Sequence, residues 1–463
     1  TRRLFDVTGE RVQVPERAAA VGITRVAPQE IPGLVARLVD VASGDDETTA
    51  DQLLRELDAA EREPVVAWRG GHRWIPSYER LPLASPETLP APLRAGGAYL
   101  LTGGVGPLEL ALARRLHAAG ARGVAFLLAT DADRPALDAL RAEGVDVTAW
   151  PKDAGDAAGA IAELRDRFGR LDAVLHTAGG IGGGMIQLKE RAAADAVLRP
   201  RRQARLLARQ LRAGEELVLF SSSISETGVF GQVDYCAASA FLDAFAAGAG
   251  GDGPRVRVVD WGMAHWDRSP DAGDDALASQ LREIQAEIGI TPEEGVDALL
   301  RALASGETRL IVSTQDLEEA IEQARVASVS DVLAAVEPGG GAPREGRGGD
   351  LATETERRVA DAWIDLLGVA NPGRTDSFFD LGGNSLLGIQ LASRLRKSFG
   401  IELPIATLFE SQDLAALAAA VDAAVEERRT SEEVARLLDE IESLPADEIR
   451  AQLEREQDGE AGR

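Results

Sequence analysis

The chain has 463 residues, 45% of them hydrophobic, and a formal net charge of −26 from 50 Lys plus Arg and 76 Asp plus Glu. So large an acidic excess argues against nucleic acid or an anionic membrane surface as the main partner, and favours small molecules or other proteins. The length suggests two to four domains. One cysteine, Cys236, allows no internal disulfide and points to a cytoplasmic setting. No apolar run reaches the roughly 18 residues of a membrane helix. His72, His117, His176 and His265 lack metal-ligand spacing, so no metal is expected. The chain starts without Met, as expected of a piece of something longer. Only Lys152, Lys189 and Lys397 are lysines; the other 47 basic residues are Arg.

Residues 1–96 carry segments such as RAAAVGITRVAPQE and PVVAWRGGHRWIPSYERL. They predict a small α/β unit without a glycine fingerprint, its Trp and Arg residues near 68–79 serving packing and a sheet edge. From 97 to 335 short apolar runs alternate with amphipathic stretches. AYLLT (98–102), VAFLL (124–128), VDVTAW (145–150), DAVLHT (172–177), ELVLFS (216–221) and VRVVDW (256–261) read as buried strands. LELALARRLHAAG (108–120) and AAGAIAELRDRFG (157–169) read as helices between them. Such alternation predicts a doubly wound parallel sheet. A linker is expected at 336–351, around the Gly- and Pro-rich PGGGAPREGRGGD (338–350). Residues 352–425 predict a helical bundle. Residues 426–463 predict a helical tail, with Val434, Leu437, Leu438 and Ile441 at helical spacing and a break at Leu444–Pro445. It is either a solvated hairpin or a docking segment for another chain.

Two motifs carry chemistry. TGGVGPLE, Thr102 to Glu109, follows a strand and opens a helix. In that setting a Gly-rich turn presents helix N-terminal N–H groups to a dinucleotide pyrophosphate. Gly103, Gly104 and Gly106 suit it, but the third glycine expected at 109 is Glu109. That carboxylate would repel the pyrophosphate unless it turns out to solvent. Further on, Ser222 ends a strand and Tyr235 opens a helix. A tyrosine hydroxyl can act as general acid toward an alkoxide, and a serine hydroxyl can hold the same oxygen. Cys236 reads as a small packed side chain rather than a reactive thiol.

On these residues, with VLHTAGG and VVDWGMA, the first 335 residues resemble the ketoreductase domains of modular type I polyketide synthases, a branch of the short-chain dehydrogenases. The resemblance implies two Rossmann-like halves and an NADPH site. Thr102, Gly103, Gly104, Gly106, Asp153, Ala178 and Gly179 match cofactor-binding positions, and Ser222 and Tyr235 match the catalytic pair. Four positions depart from the pattern. Glu109 stands for glycine, Ala129 for the arginine that pairs with the 2′-phosphate, Arg201 for the catalytic lysine and Ser239 for the catalytic asparagine. Arginine does not deprotonate and has a different shape from lysine, and serine lacks the amide's paired donor and acceptor. The expectation is impaired reduction with NADPH, weakly bound or not bound. The alternatives are a fully active β-ketoreductase, or a non-reducing scaffold or epimerase. Stereochemical markers are absent, with Ile181, Gly182, Gly183 and Thr227 at their positions.

DSFFDLGGNSLLGIQLASRLRKSFGIELPIATLFE (376–410) resembles an acyl carrier protein. The resemblance implies a four-helix bundle with 4′-phosphopantetheine on Ser385, at a helix N-terminus whose N–H groups favour the added phosphate. Leu386, Leu387, Ile389 and Leu391 would anchor that helix. It also implies as partners a carrier-bound acyl thioester, upstream ketosynthase and acyltransferase domains, a phosphopantetheinyl transferase and, through the tail, a downstream synthase.

Overall fold

The computed structural model describes residues 1–443 except 32, 43–44, 60–62, 129–132, 151–155, 178, 181, 252, 267–284, 327–345, 379, 384, 402, 404–406 and 409–410. The chain divides into two units, Thr1–Val332 and Leu333–Arg463.

In the first unit, α1 (Ala19–Glu30), β1 (Leu38–Val41), α2 (Asp46–Asp58), β2 (Val65–Arg69) and β3 (His72–Trp74) come first. β1 and β2 are parallel, and β3 turns back antiparallel. Trp68 and Arg73 both donate to the buried Glu56, at 2.8 and 2.7 Å, so these side chains tie β2 and β3 to α2.

The larger sheet follows with β4 (Ala98–Thr102), α3 (Pro107–Ala118), β5 (Gly123–Leu127), α4 (Arg134–Ala142), β6 (Val147–Trp150), α5 (Asp156–Phe168) and β7 (Ala173–His176). It continues through α6 (Arg191–Gln210), β8 (Glu216–Ser222), the short α7 (Ile224–Thr227), α8 (Val233–Gly248), β9 (Arg255–Trp261), α9 (Pro292–Ser305), β10 (Arg309–Val312) and α10 (Leu317–Val326). The strand order is β10-β9-β8-β7-β4-β5-β6, with every pair parallel. The order reverses between β4 and β7, where open α/β sheets bind ligands. Alternation along β4 explains the two layers. Tyr99 and Leu101 enter a core with α3, α4 and α9, whereas Leu100 enters the opposite core with α5, α6 and α8. The first 96 residues join this body through α1, whose Val21 and Val26 pack with Cys236, Ala240 and Ala244 of α8.

The second unit contains α11 (Glu354–Leu367), α12 (Ser385–Phe399) and α13 (Leu414–Ser443). A fourth helix would fall at 402–410, which is described only in part. Trp363 lies edge-on to Phe378 with ring centres 5.5 Å apart, in a core with Leu391, Leu395, Leu414 and Val421.

Two sequence expectations change here. The last part of the stretch read as linker is anchored: Gly346 and Gly348 N–H donate to Ala370 O and Asn371 O at 2.9 and 3.1 Å, and Arg347 N–H donates to the buried Asp376. Residues 336–345 lie outside the described residues. In addition, α13 crosses the expected boundary at 425/426, so the tail begins as a continuation of the carrier's last helix. The break at Leu444–Pro445 and the rest of the tail also lie outside them.

Candidate active site

The glycine loop has the shape the sequence predicts. Gly103 and Gly104 adopt φ of 138° and 117°, open to glycine and strained for other residues. The loop delivers α3 with Gly106 as its N-cap and Pro107 in its first turn. Glu109 takes a third course, neither free in the cleft nor turned to solvent. It is only 9% exposed, and its Oε2 accepts the Gly106 N–H at 3.0 Å. Thr177 Oγ1 lies 3.2 Å from Thr102 O and also reaches the Glu109 carboxyl, which bonds to Glu109's own N–H as well. Burial raises the pKa of this carboxyl and Asp133 adds to the rise, against the hydrogen bonds from Thr177 and the two N–H groups. Beneath the loop, Thr102 Oγ1 and His176 Nδ1 are 2.7 Å apart and buried.

The residues therefore fit only part of a nicotinamide dinucleotide. The glycine turn suits the approach of a pyrophosphate, but its Gly106 N–H already holds a carboxylate. Of the other cofactor candidates, Gly179 is packed so tightly that a Cβ there would meet the Arg201 guanidinium at 2.7 Å. Asp153 and Ala178 lie outside the described residues, as do Ala129 and Ile181.

On the catalytic side, β8 ends at Ser222, whose Oγ accepts the Ile224 N–H at 3.3 Å. Tyr235 sits half-buried in the first turn of α8. The Ser221 hydroxyl donates to Asp243 on α8 at 2.9 Å, which joins strand end and helix. Arg201, on α6, is 3% exposed, and its Cζ lies 4.4 Å from the centre of the Tyr235 ring. Its guanidinium donates to Val197 O and Gly180 O at 3.2 and 3.4 Å. Ser239, one turn beyond Tyr235, is wholly buried, and its hydroxyl finds no hydrogen-bond partner among the described residues. Cys236 is also wholly buried; its thiol donates to Ile224 O at 3.1 Å, and burial pushes its pKa up to about 12.

Two charged clusters beside the site escaped the sequence reading. Lys189 pairs with Asp234 at 2.9 Å, both nearly buried, and donates to Gly183 O at 2.8 Å. Glu30 of α1 accepts Ile186 N–H and Gly231 N–H at 2.6 and 3.1 Å, tying the loops on either side of that pair. Deeper in, Arg309 contacts Glu226, Asp243 and Asp260 at 2.7, 3.1 and 2.7 Å, and Arg25 contacts Glu226 at 2.7 Å. Burial alone would raise the Glu226 pKa, yet Arg309 and Arg25 hold it at about 2. The signal for the first cluster was present: Lys189 is one of three lysines in an arginine-rich chain.

In the second unit, α12 starts at Ser385. The preceding loop is shaped by Gly383, where a Cβ would lie 2.3 Å from Phe378 Cδ1. Leu391 is fully buried in the core and Leu387 packs against it. The side chains of Ser385, Leu386 and Ile389 are outside the described set. Among the described residues there is no His, Cys, Asp and Glu grouping able to hold a metal, and no helix long and apolar enough to cross a membrane.

The KR domain family matches residues 97–266, and the family described as phosphopantetheine attachment site matches residues 357–421, which contain Ser385. Polyketide synthase GfsA of Streptomyces halstedii is 33% identical over 447 residues, covering 88% of this chain and 6% of that protein. Spectinabilin polyketide synthase system protein NorA' of Streptomyces orinoci is 29% identical over 454 residues, covering 90% of this chain and 12% of that protein. The chain thus spans a small part of these relatives. A C2-type ketoreductase from a modular polyketide synthase superposes with a TM-score of 0.61 at 28% identity, over 71% of each chain. An A1-type ketoreductase superposes with a TM-score of 0.61 at 28% identity, over 70% of each chain. A nicotinamide-type fold followed by a carrier unit is the order on which the matches and the two units agree, and the chain belongs to the modular polyketide synthases as a ketoreductase domain followed by a phosphopantetheine carrier domain.

Proposed function

We propose that this part of a polyketide synthase module holds its acyl chain on Ser385 through 4′-phosphopantetheine, and that its ketoreductase fold reduces the β-ketoacyl thioester poorly. Ser222 and Tyr235 keep the hydroxyls needed to hold and protonate a carbonyl oxygen. The observation that carries the reading is the placement of Arg201. A lysine there presents a compact ammonium that can approach the phenol oxygen and exchange protons. The Arg201 guanidinium instead lies over the ring face and is engaged with two backbone carbonyls. Such stacking binds the ring, but a guanidinium does not deprotonate and so relays no proton. Ser239, buried at the asparagine position, offers nothing to the cleft. Ketosynthase and acyltransferase domains supply the acyl chain in this reading, and a phosphopantetheinyl transferase loads Ser385.

The test is turnover of a diketide thioester by the full chain with NADPH, followed by nicotinamide absorbance. A misaligned general acid loses about 10²–10⁴ in rate, so little or no decay is expected. Steady turnover at about 1 s⁻¹ or faster, ordinary for enzymes, would overturn the reading.

A further inference from the structure

The Glu109 carboxylate stands where helix N-termini of this fold class receive a pyrophosphate. We infer that Glu109 is a built-in occupant of the anion cradle, taking the Gly106 N–H of the loop and the space beside it, and so excluding pyrophosphate-containing ligands from the cleft. The inference rests on the proposed reading of the site and deepens it, since it assigns weak cofactor capture to one side chain.

Three observations support it. The carboxylate is buried and accepts the Gly106 N–H at 3.0 Å, which holds it inside the turn. It fills the space as well as the donors, because a Cβ at Gly106 would already be 2.6 Å from Glu109 Oε2. The helix also gains from the arrangement. Gly106 has no side chain to cap α3, and Glu109 reaches back to bond its N–H, satisfying one of the free donors at the helix start. A pyrophosphate entering the turn must displace this cap. The Glu109 carboxyl and a pyrophosphate compete for the same Gly106 N–H.

The test titrates the full chain with NADPH and with reduced nicotinamide riboside, which has the same fluorescent ring and no phosphate. E109G and E109A both empty the turn, so one suffices if the other folds poorly; E109Q fills it without charge. Either emptied variant is expected to bind NADPH at least ten-fold more tightly than the native chain, with E109Q in between and the riboside unchanged in all. Equal NADPH affinity in the native chain and in a folded, emptied variant overturns the inference, as does an equal gain for the riboside. Restored binding without turnover upholds both this inference and the impaired-reduction reading. Micromolar binding by the native chain without turnover sinks the inference alone, and micromolar binding with turnover sinks both.

Discussion

Two helices in this chain begin in the same way and differ in one residue class. α3 follows TGGVG and α12 follows LGGN, so each is a helix N-terminus fed by a glycine loop, a ready site for phosphate. In α3 the first turn contains Glu109, buried and bonded to the loop. In α12 the first turn contains no acidic residue. In the proposed reading the same backbone device is filled from within at one place and left to an incoming phosphate at the other. The glycines build the shape, and on the inference above the third helical position decides whether an anion enters.

The largest effect expected is all-or-none. Ser385→Ala should abolish phosphopantetheine addition from CoA by a phosphopantetheinyl transferase, read by mass; addition that survives the change would place the attachment elsewhere and break the comparison. Next, combining E109G with Arg201→Lys and Ser239→Asn should raise diketide reduction by about 10² or more if cofactor capture and alignment of the acid are the missing parts. Tyr235→Phe in that background should remove the gain, and a gain that survives would mean that Tyr235 is not the proton donor.

A smaller effect sharpens the other loop. Gly383→Ala puts a methyl against the Phe378 ring and should destabilise the carrier unit by about 1–3 kcal/mol, as overpacking does. Thermal unfolding of the second unit should shift down while the first is unmoved. An unchanged midpoint would show that the loop does not depend on close approach to Phe378.

The smallest effect concerns acid. Glu226 has a folded pKa of about 2 against an ordinary 4.5. A depressed carboxylate contributes stability fully above its unfolded pKa and loses it as pH falls through the folded one. The first unit should therefore lose stability between these two values more steeply in the native chain than in Glu226→Gln, which is the less stable protein at neutral pH. Parallel acid curves would show that the Arg25 and Arg309 pairs do not set the acid response.

Much of this was legible in advance, for identifiable reasons. The six strands marked by apolar runs all form, AYLLT with unchanged ends, because strands buried on both faces read as continuous apolar stretches. β10, RLIV, was not singled out; all four of its residues are only half-buried. The glycine loop was read from spacing, and it lies where that reading put it, between β4 and α3. The course of Glu109 was not, since a sequence reports a carboxylate but not which of its neighbours it will bond. Lys189 and Asp234 are 45 residues apart, and only the folded loops bring them together. The run of α13 past residue 425 was hidden by the polar ERRTSEE stretch, which looks like a domain end. Its residues are nearly all adequate helix formers, and no proline stands before Pro445.

The central claim is that one glycine-loop helix start accepts phosphate chemistry and the other refuses it. Native mass spectrometry of the full chain tests both at once, after incubation with CoA, a phosphopantetheinyl transferase and micromolar NADPH. The account predicts a single covalent phosphopantetheine on each chain and no retained NADPH. A spectrum in which NADPH stays bound to the native chain, or in which the covalent addition is missing, would contradict it.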